Sequence, residues 1–387
     1  MPNEHAKDVA ILIPSYQPQD KLAPYVTALR EAGFAKIVVV DDGSGEAYSA
    51  VFDGLGAGDG TVRVIRYEPN HGKGYALRTG MRYLLEECPE CRFILTADSD
   101  GQHTVPDTLR MAEALHHNGE GLLLGSRDFS LGHVPRKSRM GNRITTAVFQ
   151  ALYGKHIGDT QTGLRGFGRE LLPRFLRTGG DRYEYEMNQL IDCSIDQIPI
   201  RALPIETVYE NNNEGSHFDP VRDSWRIYRV ILQRFVHFIA ASLMSFVVDY
   251  ALYLLFNHLF KTYVPQLNAY VSFLPMRVIA RIALAALAAR LFSSVFNYFV
   301  NKKFVFSNRA GFVGTFARYV CTVLLIVGIS AWLTSSLHTW FGWSDNLVKM
   351  PVDIALFFLS YYLQRRWVFG GEAARNAMEK AGKEGTL

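Results

Sequence analysis

Residues 92–103 read Arg-Phe-Ile-Leu-Thr-Ala-Asp-Ser-Asp-Gly-Gln-His. The apolar run before Asp98 predicts a buried strand, and the acidic cluster marks its carboxyl end. The same order, an apolar run followed by polar residues, occurs at 9–16 and at 36–44, and helical spacing lies between such runs, as at 74–85. This alternation predicts a parallel, doubly wound α/β sheet whose polar clusters lie together at the edge where ligands bind.

The second half of the chain differs in composition. The 387 residues carry a net charge of +4, which is too small to argue for a nucleic-acid partner. From Phe235 to Trp367 apolar and aromatic residues dominate, and charges fall in short clusters. Four runs there are close to the ~20 residues that cross a bilayer core. We predict membrane spans at 235–257, 278–300, 315–340 and 347–366.

Residues 219–234 alternate basic with apolar and aromatic side chains, directly before the first predicted span. This pattern predicts an amphipathic helix on an anionic lipid surface, although an ordinary surface helix shows it as well. The sequence therefore predicts an α/β domain (1–218), an interfacial helix (219–234), an all-α four-helix transmembrane domain (235–369) and a C-terminal cytoplasmic tail (370–387).

The predicted spans contain a weak internal repeat. Span two ends in Asn-Tyr-Phe-Val-Asn-Lys-Lys-Phe-Val-Phe (297–306), and span four ends in Ser-Tyr-Tyr-Leu-Gln-Arg-Arg-Trp-Val-Phe (360–369). Two related helical hairpins would put both basic pairs on one side, which the positive-inside rule makes cytoplasmic. The apolar run Val9–Ile13 is too short for a signal peptide. We expect a multi-pass protein of the cytoplasmic (inner) membrane with its α/β domain in the cytoplasm. The hairpins leave a lateral surface where two copies could pair as a homo-oligomer.

The acidic cluster after the strand at 92–97 has the chemistry of a metal site. Asp98 and Asp100 lie two residues apart, and Gln102 adds a neutral oxygen. Mg²⁺ and Mn²⁺ prefer such hard oxygen ligands, and an ion held there would bridge the phosphates of a nucleotide. A lone D-x-D more often belongs to a solvated turn, so this assignment depends on the surrounding motifs.

Two further clusters fall at the same predicted edge. Asp41-Asp42-Gly43-Ser44 follows the strand at 36–40 and either accepts bonds from a base or from ribose hydroxyls, or caps a turn. Asn70-His-Gly-Lys-Gly74 precedes a helix, and Lys73 could reach a phosphate there. By itself the second cluster is a turn followed by a helix start.

Taken in order, six motifs resemble those of family 2 glycosyltransferases of the dolichol-phosphate mannose synthase type. They are Ile13-Pro-Ser-Tyr16, Asp41-Asp-Gly-Ser44, Asn70-His-Gly-Lys-Gly74, Asp98-Ser-Asp-Gly-Gln-His103, Gly125-Ser-Arg127 and Asp159-Thr-Gln-Thr-Gly-Leu-Arg-Gly-Phe167. The resemblance extends over residues 9–234, and residues 235–369 resemble a GtrA-type membrane domain. One departure is Gln17-Pro18, where such enzymes often have Asn-Glu.

The resemblance implies a GT-A (Rossmann-like) fold and an inverting, metal-dependent sugar transfer. It implies Mg²⁺ or Mn²⁺ as the cofactor, held by Asp98, Asp100 and Gln102. The implied nucleotide-sugar contacts are Pro14, Tyr16, Asp41, Asp42, Ser44, Asn70, Lys73, Asp98 and Ser99. The implied catalytic residues are Asp98, Asp100, Gln102, Arg127 and Gln161. The implied ligands of an acceptor phosphate are Arg127, Arg139, Arg143 and Arg165.

The implied reaction moves a hexose or N-acetylhexosamine from a UDP- or GDP-sugar to undecaprenyl or dolichyl phosphate at the lipid membrane, for cell-envelope glycosylation. Such an acceptor is already ionised at neutral pH, so positioning and charge would drive catalysis without a strong general base. Arginine forks match phosphate oxygens, although the basic stretch 136–143 is also typical of a solvated loop. Glu184 and Glu186 are expected either to orient sugar hydroxyls or to cap a helix.

Two other functions fit parts of the pattern. A processive polysaccharide synthase is disfavoured, because Gln364-Arg-Arg-Trp367 has the wrong spacing for the Q-x-x-R-W motif of that class. A lipid-linked sugar flippase with a nucleotide-binding domain is disfavoured by the intact D-x-D and its neighbouring motifs. An Asp100→Ala variant separates the enzyme from the flippase, since the enzyme would lose transfer and the flippase could keep translocation.

Overall fold

The computed structural model describes residues 4–56, 60–118, 120–129, 136–206, 222–268, 270–273, 276–306, 311–341 and 345–369. The chain forms two compact units, Met1–Ile231 and Leu232–Leu387. The predicted tail, 370–387, lies outside the described residues.

The first unit is an α/β fold on a seven-stranded sheet. Its strands are β1 (Val9–Ser15), β2 (Lys36–Asp42), β3 (Val62–Tyr67), β4 (Phe93–Thr96), β5 (Leu122–Arg127), β6 (Arg165–Gly168) and β7 (Ile200–Ile205). Its helices are α1 (Leu22–Glu31), α2 (Ser49–Gly56), α3 (Lys73–Glu87), α4 (Val105–Asn118), α5 (Arg136–Tyr153), α6 (Leu172–Phe175) and α7 (Glu184–Ile195). The predicted α/β class is confirmed.

The sheet is mixed rather than entirely parallel, in the order β3-β2-β1-β4-β6-β5-β7. β6 runs antiparallel to both of its neighbours, β4 and β5. It begins with Arg165 beside Thr96, at the carboxyl end of β4, and runs back along the sheet. The segment just before β6 therefore lies at the ligand edge, which brings Gln161 to that edge.

The side chains of β1 alternate between two buried faces, as expected of a central strand covered on both sides. Ile11 and Ile13 are fully buried in a core with side chains of α1, α2 and α4. Leu12 lies on the opposite face against α3, where a Cβ at Gly80 would collide with the Leu12 side chain. Because helices cover both faces, ligands can reach the sheet at the strand ends.

The second unit is helical, and one helix leads into it. This helix, α8 (Arg222–Tyr263), continues through both the predicted interfacial segment and the first predicted span. It contains no glycine or proline to interrupt it, so one element forms instead of two. A strand pair, β8 (Tyr270–Phe273) and β9 (Met276–Ile279), follows. The remaining helices are α9 (Ala280–Val300), α10 (Phe312–Phe341) and α11 (Asp345–Leu363).

Within the described ranges, three helices are long and apolar enough to cross a membrane. They are Arg222–Tyr263, Ala280–Val305 and Phe312–Ser330. The second predicted span starts two residues later than expected, because residues 276–279 form β9. The fourth predicted span coincides with α11, which carries an internal proline, Pro351, and is not among the three.

The two segments of the predicted repeat share one conformation. α9 continues into a π-helical turn at Asn301–Val305, and α11 continues into one at Gln364–Val368. Asn301 donates a hydrogen bond to Gln364 Oε1 at 3.0 Å, and both side chains are buried. Phe306 stacks on Phe369 with ring centroids 5.0 Å apart. Equivalent residues of the two hairpins thus contact each other, as they do at a pseudo-two-fold axis.

Candidate active site

A cavity of about 390 Å³ opens at the carboxyl ends of the strands in the first unit. Most of the predicted site residues line it: Pro14, Tyr16, Asp42, Asn70, Lys73, Asp98, Ser99, Asp100, Gln102, Arg127 and Gln161. Another cavity of about 450 Å³ lies at α1 and α2, and the residues lining it include none of these. Convergent charged groups, and not volume, therefore identify the candidate site.

Asp42 organises the loop that leads into α3. Its carboxylate oxygens accept hydrogen bonds from the Tyr67 hydroxyl at 2.9 Å and from the Asn70 side-chain amide at 2.9 Å. They also accept the backbone N–H groups of His71 at 2.9 Å and Gly72 at 2.8 Å. One buried carboxylate thus fixes the end of β3 and three groups of the loop, and α3 begins with its N-terminus at the cavity.

Asp41 and Ser44 do not line the cavity. Asp41 accepts the backbone N–H of Ser44 at 2.9 Å and pairs with Arg66 at 3.2 Å. Ser44 Oγ in turn accepts the backbone N–H of Gln17 at 2.8 Å. Both residues therefore have supporting positions outside the cavity, and the nucleotide contact that the resemblance implied for them stays a prediction.

One ammonium group joins two carboxylates in the cavity. Lys73 Nζ lies 2.7 Å from Asp98 Oδ1 and 2.9 Å from Glu186 Oε2. Burial alone would lower the pKa of Lys73, but the charges of Asp98 and Glu186 raise it above its usual value. Burial would likewise raise the pKa of Asp98, but Lys73 and His103 hold it well below its usual range. Lys73 and Asp98 are therefore both charged at neutral pH.

Asp98, Asp100 and Gln102 all line the cavity, and their side-chain oxygens suit Mg²⁺ or Mn²⁺. Burial, and then the charge of Asp98, raise the pKa of Asp100, as expected where a cation would be favourable. Both carboxylate oxygens of Asp98 already have protein partners, Lys73 at 2.7 Å and His103 at 3.3 Å.

No group of three or more His, Cys, Asp or Glu side chains is arranged to hold a metal ion in the part of the chain that the structure describes. An ion at this cluster would take its remaining ligands from nucleotide phosphates and water, which is how Mg²⁺ is usually held. The residues present fit an ion bound together with a nucleotide.

Arg127, at the end of β5, is held in the cavity wall by Asp159. Its Nε and Nη2 lie 2.6 and 3.0 Å from the two carboxylate oxygens, which is a bidentate pair. Asp159 is buried and also accepts the backbone N–H of Gln161 at 3.0 Å. Asp159 thereby orients two of the predicted catalytic residues, although it contacts the cavity only through them.

The other arginines implied as phosphate ligands do not line the cavity. Arg165 is 1% exposed and donates to the backbone oxygens of Thr162 at 2.9 Å and Glu186 at 2.6 Å. Its guanidinium is therefore occupied by contacts within the protein, and the implied role in binding an acceptor phosphate stays a prediction. Arg139 and Arg143 lie on α5, where Arg143 is exposed.

Five lining residues were absent from the predicted site. They are Ser15, Gly72, Arg182, Tyr183 and Glu186. The last belongs to the carboxylate pair whose role the sequence left open. Residues two apart on a helix point to different sides, and this spacing was a signal that Glu184 and Glu186 would have different surroundings.

Comparison with known proteins identifies the families that the chain resembles. Residues 10–176 match the glycosyl transferase family 2 model, and residues 266–369 match the GtrA/DPMS transmembrane domain model. Glycosyltransferase AglJ from Haloferax volcanii is 29% identical over 58% of this chain and 71% of its own length. UDP-N-acetylglucosamine–dolichyl-phosphate N-acetylglucosaminyltransferase from Methanococcus voltae is 26% identical over 52% of this chain and 86% of its own. Dolichyl-phosphate beta-glucosyltransferase from Homo sapiens is 27% identical over 51% of this chain and 67% of its own.

The first family model covers the segments that carry Asp42, Lys73, Asp98 and Arg127, and the second covers the two repeat segments 297–306 and 360–369. The sheet topology and the first model together confirm the predicted GT-A fold. The chain is therefore a membrane glycosyltransferase that joins a family 2 glycosyltransferase domain to a GtrA/DPMS-type transmembrane domain.

Proposed function

We propose that the protein transfers a sugar from a nucleotide-sugar to a polyprenyl phosphate, giving a polyprenyl-monophosphate sugar. The observation that carries this proposal is that one cavity contains the carboxylates Asp98 and Asp100 together with Arg127 held in a bidentate pair. The carboxylates suit a cation bound with a diphosphate, and the arginine suits a second anion. Two of the relatives above carry dolichyl-phosphate in their names.

We assign the donor diphosphate to the start of α3. Gly72 and Lys73 line the cavity where this helix begins, so backbone N–H groups and an ammonium meet there. A helix N-terminus favours a bound anion. Lys73 would then exchange part of its contact with Asp98 for a phosphate oxygen, while Asp42 keeps the loop in place through its hydrogen bonds.

Asp98, Asp100 and Gln102 would hold Mg²⁺ or Mn²⁺, which when bound supplies positive charge to the departing nucleoside diphosphate. Asp100 contributes a second carboxylate, whose pKa is raised by burial and then by the charge of Asp98. Asp98 keeps the cluster oriented through Lys73 and His103.

The acceptor phosphate monoester is anionic at neutral pH, so an oxygen of the phosphate can attack the anomeric carbon directly. The new carbon–oxygen bond forms as the bond to the nucleoside diphosphate breaks, with inversion at that carbon. We assign the alignment of the acceptor to Arg127. Because Asp159 shares the charge of this guanidinium, Arg127 can position the acceptor without fully neutralising its nucleophilic oxygen.

We further propose that residues 235–369 form a multi-pass anchor in the cytoplasmic membrane, with the catalytic domain (1–218) in the cytoplasm. This arrangement is supported by the basic pairs Lys302-Lys303 and Arg365-Arg366, which follow equivalent helices. A cytoplasmic site would have access to nucleotide-sugars. Both UDP- and GDP-sugars remain candidate donors under this proposal.

An acceptor-dependence assay tests the proposal. Purified full-length protein in lipid nanodiscs is given a nucleotide-sugar and Mg²⁺, with or without undecaprenyl phosphate, and release of nucleoside diphosphate is measured. We expect release that depends on the lipid, is lost in Asp100→Ala, and is nearly lost in Arg127→Gln. Release that is equally fast without the lipid would contradict a polyprenyl phosphate acceptor.

A further inference from the structure

The two carboxylates at the start of α7 have different surroundings. Glu184 Oε1 accepts the backbone N–H groups of Asp181 at 3.2 Å and Arg182 at 3.3 Å, so it fixes the turn that leads into the helix, and it does not line the cavity. Glu186 lines the cavity and is only 6% exposed. The role in the turn and a role in the cavity therefore belong to different residues.

Glu186 has one oxygen in an ion pair and one without a hydrogen bond. Its Oε2 lies 2.9 Å from Lys73 Nζ. Its Oε1 is buried and has no hydrogen-bond partner among the described residues. The nearby Arg165 Nε is 3.9 Å away and donates instead to the Thr162 carbonyl. A buried acceptor left without a donor carries a desolvation cost, so a ligand that brings a donor here gains affinity.

The chemistry of the proposed ligands indicates which of them can donate a hydrogen bond to Glu186. A nucleoside diphosphate and a polyprenyl phosphate present phosphate oxygens that accept hydrogen bonds, whereas a sugar ring presents hydroxyl groups that donate them. Lys73 contacts both Glu186 and Asp98, so Glu186 lies one side chain away from the carboxylate cluster assigned to the diphosphate. The transferred sugar is attached directly to that diphosphate.

We infer that Glu186 accepts a hydrogen bond from a hydroxyl of the transferred sugar, and so contributes to the choice of donor sugar. This inference rests on the proposed function. Lys73 holds the carboxylate before the donor binds, so little ordering is needed when the hydroxyl arrives. A site with a buried polar group that binds one sugar hydroxyl discriminates against sugars that lack this hydroxyl. Glu186 is thus a positioning and specificity residue, distinct from the residues assigned to the diphosphate and the acceptor.

The test compares binding of nucleotide-sugars with binding of the matching nucleoside diphosphates. Full-length protein in detergent is titrated calorimetrically with UDP-glucose, UDP-N-acetylglucosamine and GDP-mannose, and then with UDP and GDP. For the donor that wild type binds, Glu186→Gln should weaken the nucleotide-sugar by about tenfold, because a charge-assisted bond becomes a neutral one. Affinity for the nucleoside diphosphate should change by less than about twofold. Glu184→Gln, the matched control, should leave both affinities within about twofold of wild type.

A deoxy-sugar series checks which group Glu186 contacts. Removing the contacted hydroxyl from the donor should weaken binding to wild type but not weaken binding to Glu186→Gln any further. Additive losses at every ring position would overturn the inference. Equal losses of affinity for the nucleotide-sugar and for the nucleoside diphosphate would also overturn it, because they would assign Glu186 to the ribose or the phosphates. If Glu186→Gln does not fold, Glu186→Asp keeps the charge beside Lys73 and withdraws the oxygen, and it should show the same selective loss.

The outcomes also separate this inference from the proposed function. If wild type neither binds nor converts any of the three nucleotide-sugars, the proposed function fails and the inference fails with it. If wild type transfers sugar to the lipid and Glu186→Gln loses no selectivity for its donor, the proposed function stands and only the inference is overturned.

Discussion

Lys73 Nζ and Asp98 Oδ1 are 2.7 Å apart in the candidate active site. The sequence predicted that Lys73 would reach a phosphate and that Asp98 would hold a metal ion, and the structure pairs them with each other. Lys73 Nζ also lies 2.9 Å from Glu186 Oε2, so one ammonium group pairs with two carboxylates. Ligand binding at this cluster would therefore redistribute an existing ion-pair network rather than fill a neutral pocket.

Replacing Lys73 should weaken both the fold and nucleotide binding. Lys73→Met removes the ammonium and leaves Asp98 and Glu186 without their shared cation. Breaking a largely buried pair from one side should lower the free energy of unfolding by on the order of 3 kcal/mol. Thermal unfolding and nucleotide titration of the detergent-solubilised protein measure the two effects. Lys7→Met, at an exposed lysine, is the control. A Lys73→Met variant that matches this control in both assays would contradict the pairing of Lys73 with the two carboxylates.

Loss of the carboxylate behind Arg127 should impair transfer. Asp159→Asn weakens the bidentate pair of 2.6 and 3.0 Å and frees the guanidinium to move. Misplacement of a positioning group by about 1 Å can reduce rate about 100-fold. Steady-state kinetics with varied polyprenyl phosphate should show a reduced kcat/KM for the acceptor.

A comparison with a surface ion pair provides the control. Asp196 pairs with Arg174 at a half-exposed position, so Asp196→Asn should change kcat/KM little. Because Asp159 holds Arg127 as well as the Gln161 backbone, the double variant Asp159→Asn/Arg127→Gln should lose less than the sum of the two single losses. Fully additive losses would show that Asp159 acts independently of Arg127.

Arg165 should be important for stability rather than for acceptor binding. Its buried guanidinium connects the loop before β6 to α7 through the Thr162 and Glu186 carbonyls. Arg165→Met removes these buried hydrogen bonds and should reduce the free energy of unfolding by on the order of 3 kcal/mol. Arg143→Met, at an exposed position of α5, should leave thermal unfolding unchanged. A stable Arg165→Met variant with only a raised KM for the lipid would support the phosphate-binding assignment instead.

The contact between the repeats predicts a coupled pair in the second unit. Asn301→Leu or Gln364→Leu alone leaves one buried amide without its partner across the 3.0 Å contact. The double replacement by leucine should recover part of that loss, with a coupling free energy of about 1 kcal/mol, typical of hydrogen bonds between membrane helices. Thermal unfolding of the two single variants and the double variant in one detergent measures the coupling. Strictly additive losses would argue that the amides are independent.

The sequence located the edge of the site well and the orientation of individual side chains poorly. Asp98, Asp100 and Asp42 reach the cavity because each follows an apolar run that becomes a strand of the sheet. Asp41 precedes Asp42 by one residue and therefore points to the other face of β2, where it meets Arg66 and Ser44. No local pattern shows which of two adjacent carboxylates faces the ligand.

Long-range packing explains the other differences. Arg165 matches the family motif, but its surroundings depend on α7, which follows about twenty residues later in the chain. The four-residue strand β6, which Arg165 begins, contains two glycines and carries too short an apolar signal to be predicted, although it positions Gln161 and Asp159. In the second unit, the apolar runs predicted helices. They did not predict that the basic amphipathic segment and the first span form one continuous helix, α8, which is possible because residues 222–263 contain no glycine or proline.

The central claim is that this protein attaches a sugar to a polyprenyl phosphate, and one measurement addresses it directly. Purified protein is incubated with Mg²⁺ or Mn²⁺, undecaprenyl phosphate and a panel of radiolabelled UDP- and GDP-sugars, and the products are extracted into organic solvent and identified by mass spectrometry. We predict that one donor gives a labelled polyprenyl-monophosphate sugar, and that EDTA and Asp100→Ala each abolish it. No labelled lipid from any donor, with nucleotide-sugar binding intact, would contradict the claim.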